Sequence, residues 1–224
     1  MPEIVLMGDT RVAEIPVAEN DEDLVDARTV GDFAWDGRRE DPEGAYAHLR
    51  RGLTDRLLEA ASLLPDDYRL LLVEGYRPYE LQEQYFLDYY AELRELDPFL
   101  DDDSRYRMAS RFVSPPVVAP HVSGAAIDLT LSDASGHEVD MGTAMNATPE
   151  ESDGGCYFGA ENISVEGRHH RQVLGSVLSR SGLVNYPTEW WHWSFGDRYW
   201  ALMTKQPTAI YGPVRHGTRV APSP

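Results

Sequence analysis

The run AAIDLTL, residues 125–131, is small and aliphatic except for one carboxylate, Asp128, at its centre. A short apolar run of this kind predicts a strand inside the core. A carboxylate buried there costs several kcal/mol, on the order of magnitude, unless a cation or hydrogen-bond donors meet it. Any fold open to this chain must therefore bring compensating groups to Asp128. One candidate stands at the entrance to the strand. His121, in PHVSGAAID, is separated from Asp128 by six residues. The plain alternative is a structural aspartate that accepts backbone hydrogen bonds.

Two further stretches carry misplaced charge. PTEWWHWSF, residues 187–195, sets Glu189 and His192 among three tryptophans. Tryptophans alone are ordinary core. A carboxylate in such a low-dielectric wall has its pKa raised unless it is paired, which is how an enzyme makes a carboxylate accept and return a proton near neutral pH. EGYRPYE, residues 74–80, puts Arg77 between an expected strand and Pro78. A strand end projects its side chain over the rim of a sheet, where sites are often built. Neutralisation of Glu74 or Glu80 is the plain role for this arginine.

Together these residues form a chemical set. His121, Asp128 and His192 are two imidazoles and one carboxylate, and with an open fourth position that is a catalytic zinc arrangement. Glu189 supplies a base for a metal-activated water. Arg77 is placed to stabilise the oxyanion formed when water attacks an amide. No His-Glu-x-x-His helix is present, so the common zincin pattern does not apply. Two histidines and a carboxylate also serve non-haem iron oxygenases. Those enzymes commonly place the first histidine and the carboxylate one residue apart. Here six residues intervene, and an extra glutamate precedes the second histidine, which favours hydrolysis.

The rest of the chain bounds the partners. The net charge of −18 argues against nucleic acid and anionic membrane surfaces, whose phosphates it repels. Cys156 is the single cysteine, so neither a disulfide framework nor a cysteine-based zinc site is expected, and it reads as a plain small residue. No run approaches the length of a membrane span, and the first residues lack a leader pattern, so a cytoplasmic protein is expected. No protein partner is implied.

No repeat or linker divides the 224 residues, so one domain is expected over 1–224 with its core at about 10–205. Residues 1–42 read as irregular, with short extended pieces such as 11–17. Helices are expected over 44–63, over 79–96 after Pro78, and over 165–182, where Gly182 is a plausible stop. His169 and His170 fall on the last of these and read as surface residues. A strand is expected at 68–76, a turn between two strands after residue 131, a long ordered loop over 142–163, and one or two strands in the aromatic stretch after 183. Helices and strands mix without strict alternation, which predicts α+β rather than a doubly wound sheet.

At this point the three motifs resemble the D-Ala-D-Ala metallopeptidases, and in particular their dipeptidase branch. The family pattern Ser-x-His-x-x-Gly-x-Ala-x-Asp matches APHVSGAAID at His121, Gly124, Ala126 and Asp128. Glu-x-x-His matches Glu189 and His192, and the GYRP segment matches Gly75–Pro78. The resemblance implies a single α+β domain, mainly antiparallel sheet flanked by helices, with one zinc ion per chain in a cleft. It implies His121, Asp128 and His192 as the zinc ligands, Glu189 as general base and acid, and Arg77 as the transition-state arginine. Two positions depart from the pattern. Ala119 stands where the motif has serine. Asn146 stands where the resemblance implies an aspartate that binds the substrate's ammonium group, so Asn146 is taken as a substrate-binding position with altered selectivity.

The implied activity is hydrolysis of a small dipeptide, with D-Ala-D-Ala the family default. The alternatives are a carboxypeptidase acting on a longer cell-wall (peptidoglycan) peptide, the iron enzyme above, and a binding module that keeps the fold without catalysis. A cleft closed at one end would favour the dipeptidase.

Overall fold

The computed structural model describes residues 4–214 apart from positions 32, 40 and 42. The elements run in chain order as α1 (Thr10–Ala13), β1 (Leu24–Asp26), α2 (Ala27–Val30), β2 (Ala34–Trp35), β3 (His48–Arg50), α3 (Arg51–Ser62), β4 (Tyr68–Glu74), α4 (Tyr79–Leu96), α5 (Asp102–Ala109), β5 (Ala126–Asp133), α6 (Val165–Arg180), β6 (Val184–Asn185), β7 (His192–Ser194) and α7 (Arg198–Met203). The fold is α+β, as the mixed element pattern predicts.

The main sheet has the order β2-β4-β5-β7-β6, and β1 pairs with β3 in a separate two-stranded ribbon. Only β2 and β4 run parallel among these pairs; the rest are antiparallel. The run that contains Asp128 is the central strand β5, buried on both faces. Its Ile127, Leu129 and Leu131 alternate onto one face and join a core with Leu53 and Leu57 of α3 and Leu174 and Leu178 of α6. Asp128 and Thr130 fall on the other face.

One irregularity decides what that second face carries. Leu72 of β4 pairs with Leu129, but the next registered pair is Glu74 with Asp128, so one residue of β4 is extra. A regular ladder would set Val73 beside Asp128. The bulge turns Glu74 there instead. Across the sheet, Asp128 pairs with His192 of β7. Glu74, Asp128 and His192 therefore form one row over three adjacent strands, with side chains on the same face.

Several expectations needed correction. Thr10–Ala13 is a helical turn, capped by the Asp9 side chain on Arg11 N, rather than an extended piece. The helix expected from residue 44 begins only at Arg51, because His48–Arg50 is drawn into pairing with β1. After β5 the second strand of the turn shrinks to a single bridge between Ser132 and Glu138. The aromatic stretch gives β6 and β7 and then a helix, α7, started by Asp197, whose carboxylate accepts from Tyr199 N and Trp200 N. His169 is exposed, but His170 is 6% exposed, with Nδ1 against the Asp140 carbonyl at 2.7 Å and its ring edge-on to Tyr68. The helix α6 and Gly182 beyond its end match the reading of the sequence, and the Ser164 side chain caps the start by accepting from Gly167 N. Cys156 is a buried core residue.

Candidate metal centre and active site

His121 is delivered by a 3-10 turn, Pro120–Ser123, that ends at Gly124 with φ 65°. That left-handed conformation favours glycine, and a Cβ at Gly124 would lie 2.3 Å from Leu24 Cδ2. The ring is then aimed by Gly75. His121 Nδ1 lies 2.7 Å from the Gly75 carbonyl, so Nδ1 carries the proton and donates, and Nε2 keeps its lone pair. Gly75 has its own steric reason. A Cβ there would meet the Tyr46 and His48 carbonyl oxygens at 2.6 and 2.9 Å.

The lone pair at His121 Nε2 faces two more potential ligands. It is 3.1 Å from His192 Nδ1 and 3.3 Å from Asp128 Oδ1, and His192 Nδ1 is 3.0 Å from the same oxygen. All three residues are 4–5% exposed. Tetrahedral zinc with bonds of roughly 2.0–2.1 Å has ligand atoms about 3.3 Å apart. The donor set, its burial and its spacing therefore fit such an ion, and among the described residues this is the grouping with metal-ligand chemistry. His192 Nε2 is buried without a hydrogen-bond partner, so its ring is held by β7 and by the cluster itself.

Electrostatics separates the two buried carboxylates. Burial works to raise the Asp128 pKa, but the charges and hydrogen bonds of His121 and His192 hold it well below the usual range. Glu189 goes the other way. Burial, and then the Asp128 charge, push its carboxyl well above the usual range, against the opposing pull of Arg77 and Arg39. Its side chain keeps some exposure towards the cavity while protein closes in on the other sides. One carboxylate is suited to stay ionised and the other to exchange a proton.

Arg77 sits just beyond the β4 bulge. Its Nε donates to Glu74 Oε1 at 2.6 Å and its Nη1 to Gln82 Oε1 at 2.7 Å, and its guanidinium stands 5.1 Å from the centre of the Tyr85 ring. Burial pulls its pKa down, yet the Glu74 carboxylate more than offsets this and holds it above the ordinary value. The role of neutralising Glu74, weighed from the sequence, is thus real and also fixes the arginine in place.

A cavity of about 550 Å³ brings the set together. His121, Asp128, His192, Glu189, Arg77 and Asn146 all line it. Every site residue read from the sequence is thus on one surface. Two participants went unassigned. Glu74 was noted only as a possible charge partner, although LLLVEGY carries the same signal as AAIDLTL, a carboxylate at the end of an apolar run. Arg39 also lines the cavity, and nothing in its local sequence marks it.

A buried His-Asp-His cluster on the floor of a cavity, beside a protonatable carboxylate and a fixed arginine, has the composition of a metallohydrolase site. Comparison with known proteins gives the family. The model of the M15 peptidase family, described as D-Ala-D-Ala dipeptidase, matches residues 37–208, and the chain belongs to this family of metallopeptidases. The D-alanyl-D-alanine dipeptidase of Synechocystis sp. is 29% identical over 181 residues, covering 70% of this chain and 73% of the relative. That of Enterococcus faecium is 33% identical over 174 residues, covering 73% and 82%. Among solved structures, a vancomycin resistance D,D-pentapeptidase, VanY, in complex with Zn(II) aligns over 88% of this chain and 91% of its own, with 14% identity and a TM-score of 0.46. Membership of a peptidase family sets aside the oxygenase reading. Among the described residues, no helix is long and apolar enough to cross a membrane.

Proposed function

We propose that the protein is a zinc-dependent dipeptidase that cleaves the peptide bond of a small dipeptide, with D-Ala-D-Ala the family default. The observation that carries this reading is the convergence of His121 Nε2, Asp128 Oδ1 and His192 Nδ1 within 3.0–3.3 Å of one another, in a cavity that Glu189 and Arg77 also line. His121, Asp128 and His192 would hold one zinc ion per chain. When bound, zinc supplies a Lewis acid that polarises a carbonyl and makes water acidic near neutral pH.

The chain's own residues do the rest. Glu189 takes a proton from the attacking water and returns it to the amine nitrogen as the C–N bond breaks. Its raised pKa suits both halves of that exchange. Arg77, held by Glu74 and Gln82, meets the negative charge that develops on the carbonyl oxygen. Asn146, at the cavity wall, lies on the substrate's side and offers an amide where a carboxylate would hold an ammonium group more tightly. The catalytic unit is one domain with its core at about 10–205, and a cytoplasmic location suits a short substrate rather than polymeric wall.

A second reading draws on the shape of the cavity. Its wall along α4 ends at Asp88 and Glu92, which are exposed, so the cavity is open there. An open end admits a longer peptide and supports a carboxypeptidase. One screen tests both readings. The zinc-loaded protein is offered dipeptides of all four stereochemical combinations and pentapeptides with the same C-termini, with a chelator control. Chelator-sensitive release of amino acid from dipeptides supports the first reading; release from pentapeptides alone supports the second. No chelator-sensitive hydrolysis would overturn both.

A further inference from the structure

Arg39 follows the edge strand β2 and lines the same cavity as the ligand cluster. Its Nη1 lies 2.5 Å from Glu74 Oε2, and its side chain keeps 26% exposure. Glu74 is fully buried, and its other oxygen already takes Arg77 Nε at 2.6 Å. One carboxylate therefore serves two guanidinium groups, and the trio carries one net positive charge, with Glu189 of the same cavity the next acid to feel Arg39. A cation in excess at a partly desolvated wall is costly unless water or an anion meets it. In a chain of net charge −18 such a wall is not background.

The two arginines differ in what they have left to offer. Arg77 is 11% exposed and commits Nε to Glu74 and Nη1 to Gln82, which leaves Nη2 for the charge that develops in the reaction. Arg39 is the more exposed of the two. Among the described residues, Glu74 is the acid paired with it, and no protein hydrogen bond takes its remaining N–H groups. A guanidinium fork presents paired donors that match a carboxylate in two-point fashion. The anchor on Glu74 limits the rotamer freedom that such a contact would otherwise have to remove. Asp128 and Glu189 line the same cavity but belong to the ligand cluster and the proton transfer; the other acids of its wall, Asp88 and Glu92, lie on α4 six and ten residues beyond Gln82, about 9–15 Å along the helix. These two are not partners for the Glu74 end of the cavity.

We propose that Arg39 is a specificity-determining residue that binds a carboxylate of the substrate, while Arg77 answers the charge that develops in the reaction. This rests on the peptidase reading, and the carboxylate has two chemical sources, a free C-terminus or an acidic side chain. The test uses the full-length zinc-loaded protein as wild type, Arg39→Gln and Arg39→Lys. Lysine keeps a cation beside Glu74, so it guards against a glutamine variant that fails to fold. Two substrate pairs are compared: a cleaved dipeptide with its C-terminal carboxamide, and a dipeptide ending in glutamate with its glutamine counterpart.

A charge-assisted hydrogen bond at this wall predicts that Arg39→Gln raises KM for the carboxylate member of one pair about 10–100-fold. The matching amide should change less than about twofold, kcat should stay within about threefold, and lysine should be intermediate. A change in the first pair assigns the C-terminus; a change in the second assigns a side chain. Neither ratio moving, or kcat falling equally for every substrate, overturns the proposal. Should the wild type cleave no peptide, the peptidase reading has failed, and binding still decides on Arg39. Calorimetry with D-alanine and D-alaninamide should then show a preference for the acid that Arg39→Gln removes. An absent preference in the wild type overturns it.

Discussion

The two sides of the cavity are built from different material. On the sheet side, Asp128 and His192 are neighbours in one strand ladder, and His121 is fixed by a hydrogen bond to the Gly75 backbone. All three are 4–5% exposed. On the other side, Arg39 follows a two-residue edge strand, Asn146 sits in a loop, and Asp88 and Glu92 stand exposed on α4. Groups that must converge to within a few tenths of an ångström are carried by rigid elements. The groups proposed to choose among substrates are carried by loops and an exposed helix face. Errors on the first side should remove the reaction, and errors on the second should only redirect it.

The largest expected effect is on the sheet side. His121→Ala removes one of the three proposed ligands and leaves Asp128 buried beside a single imidazole. Protein purified with zinc and then dialysed should fall from about one equivalent of metal to under about a tenth. Metal analysis reads this directly, and full retention would move the metal site elsewhere. Glu189→Gln comes next. It keeps the shape of the side chain and removes its basicity, so zinc and substrate affinity should survive while kcat falls roughly 10²–10⁴-fold. Near-normal turnover would show that another group moves the proton. Loss of zinc would make Glu189 a ligand.

Arg77 lies at the boundary between the two sides, which makes it a sharp test of the division. Arg77→Ala should lower kcat roughly 10²–10³-fold with a smaller rise in KM, because the charge it meets is present mainly in the transition state. The pattern reversed, with KM raised and kcat kept, would assign Arg77 to the substrate-binding side with Arg39. The same substitution leaves Glu74 with one cation in place of two, so thermal melting should accompany the kinetics.

The division also explains what the sequence disclosed. Asp128, Glu189 and His192 were legible because charge within an apolar run has few innocent explanations. His121 was legible through its motif. The bulge in β4 was not, since nothing in LLLVEGY announces a register change, and without it Glu74 would face away from Asp128. Arg39 was invisible because an arginine in a polar stretch is ordinary until tertiary structure places it beside a buried acid. His170 was misread because helical position alone does not reveal that Tyr68 and the Asp140 carbonyl come to cover it. Likewise His48–Arg50 continue an apolar pattern that suits a helix, and only pairing with the distant Leu24–Asp26 makes them a strand.

The smallest expected effect belongs to Asn146. Its backbone has φ 65°, a left-handed conformation that asparagine and aspartate adopt far more readily than most residues. Asn146→Asp therefore changes charge without adding backbone strain, whereas alanine would add about 1–2 kcal/mol of it. If the side chain meets the substrate's amino terminus, a carboxylate replaces a neutral hydrogen bond with a charge-assisted one, roughly twice as strong. The preference for an unblocked dipeptide over its N-acetylated form should rise about three- to tenfold in kcat/KM. The ratio is the proper readout, because a new anion also joins Asp128 and Glu189 in the cavity and can depress turnover of both substrates alike. A common fall cancels in the ratio; recognition of the ammonium group does not. A ratio that stays flat would take Asn146 out of the amino-terminal contact and leave Arg39 as the selective group to examine on that side.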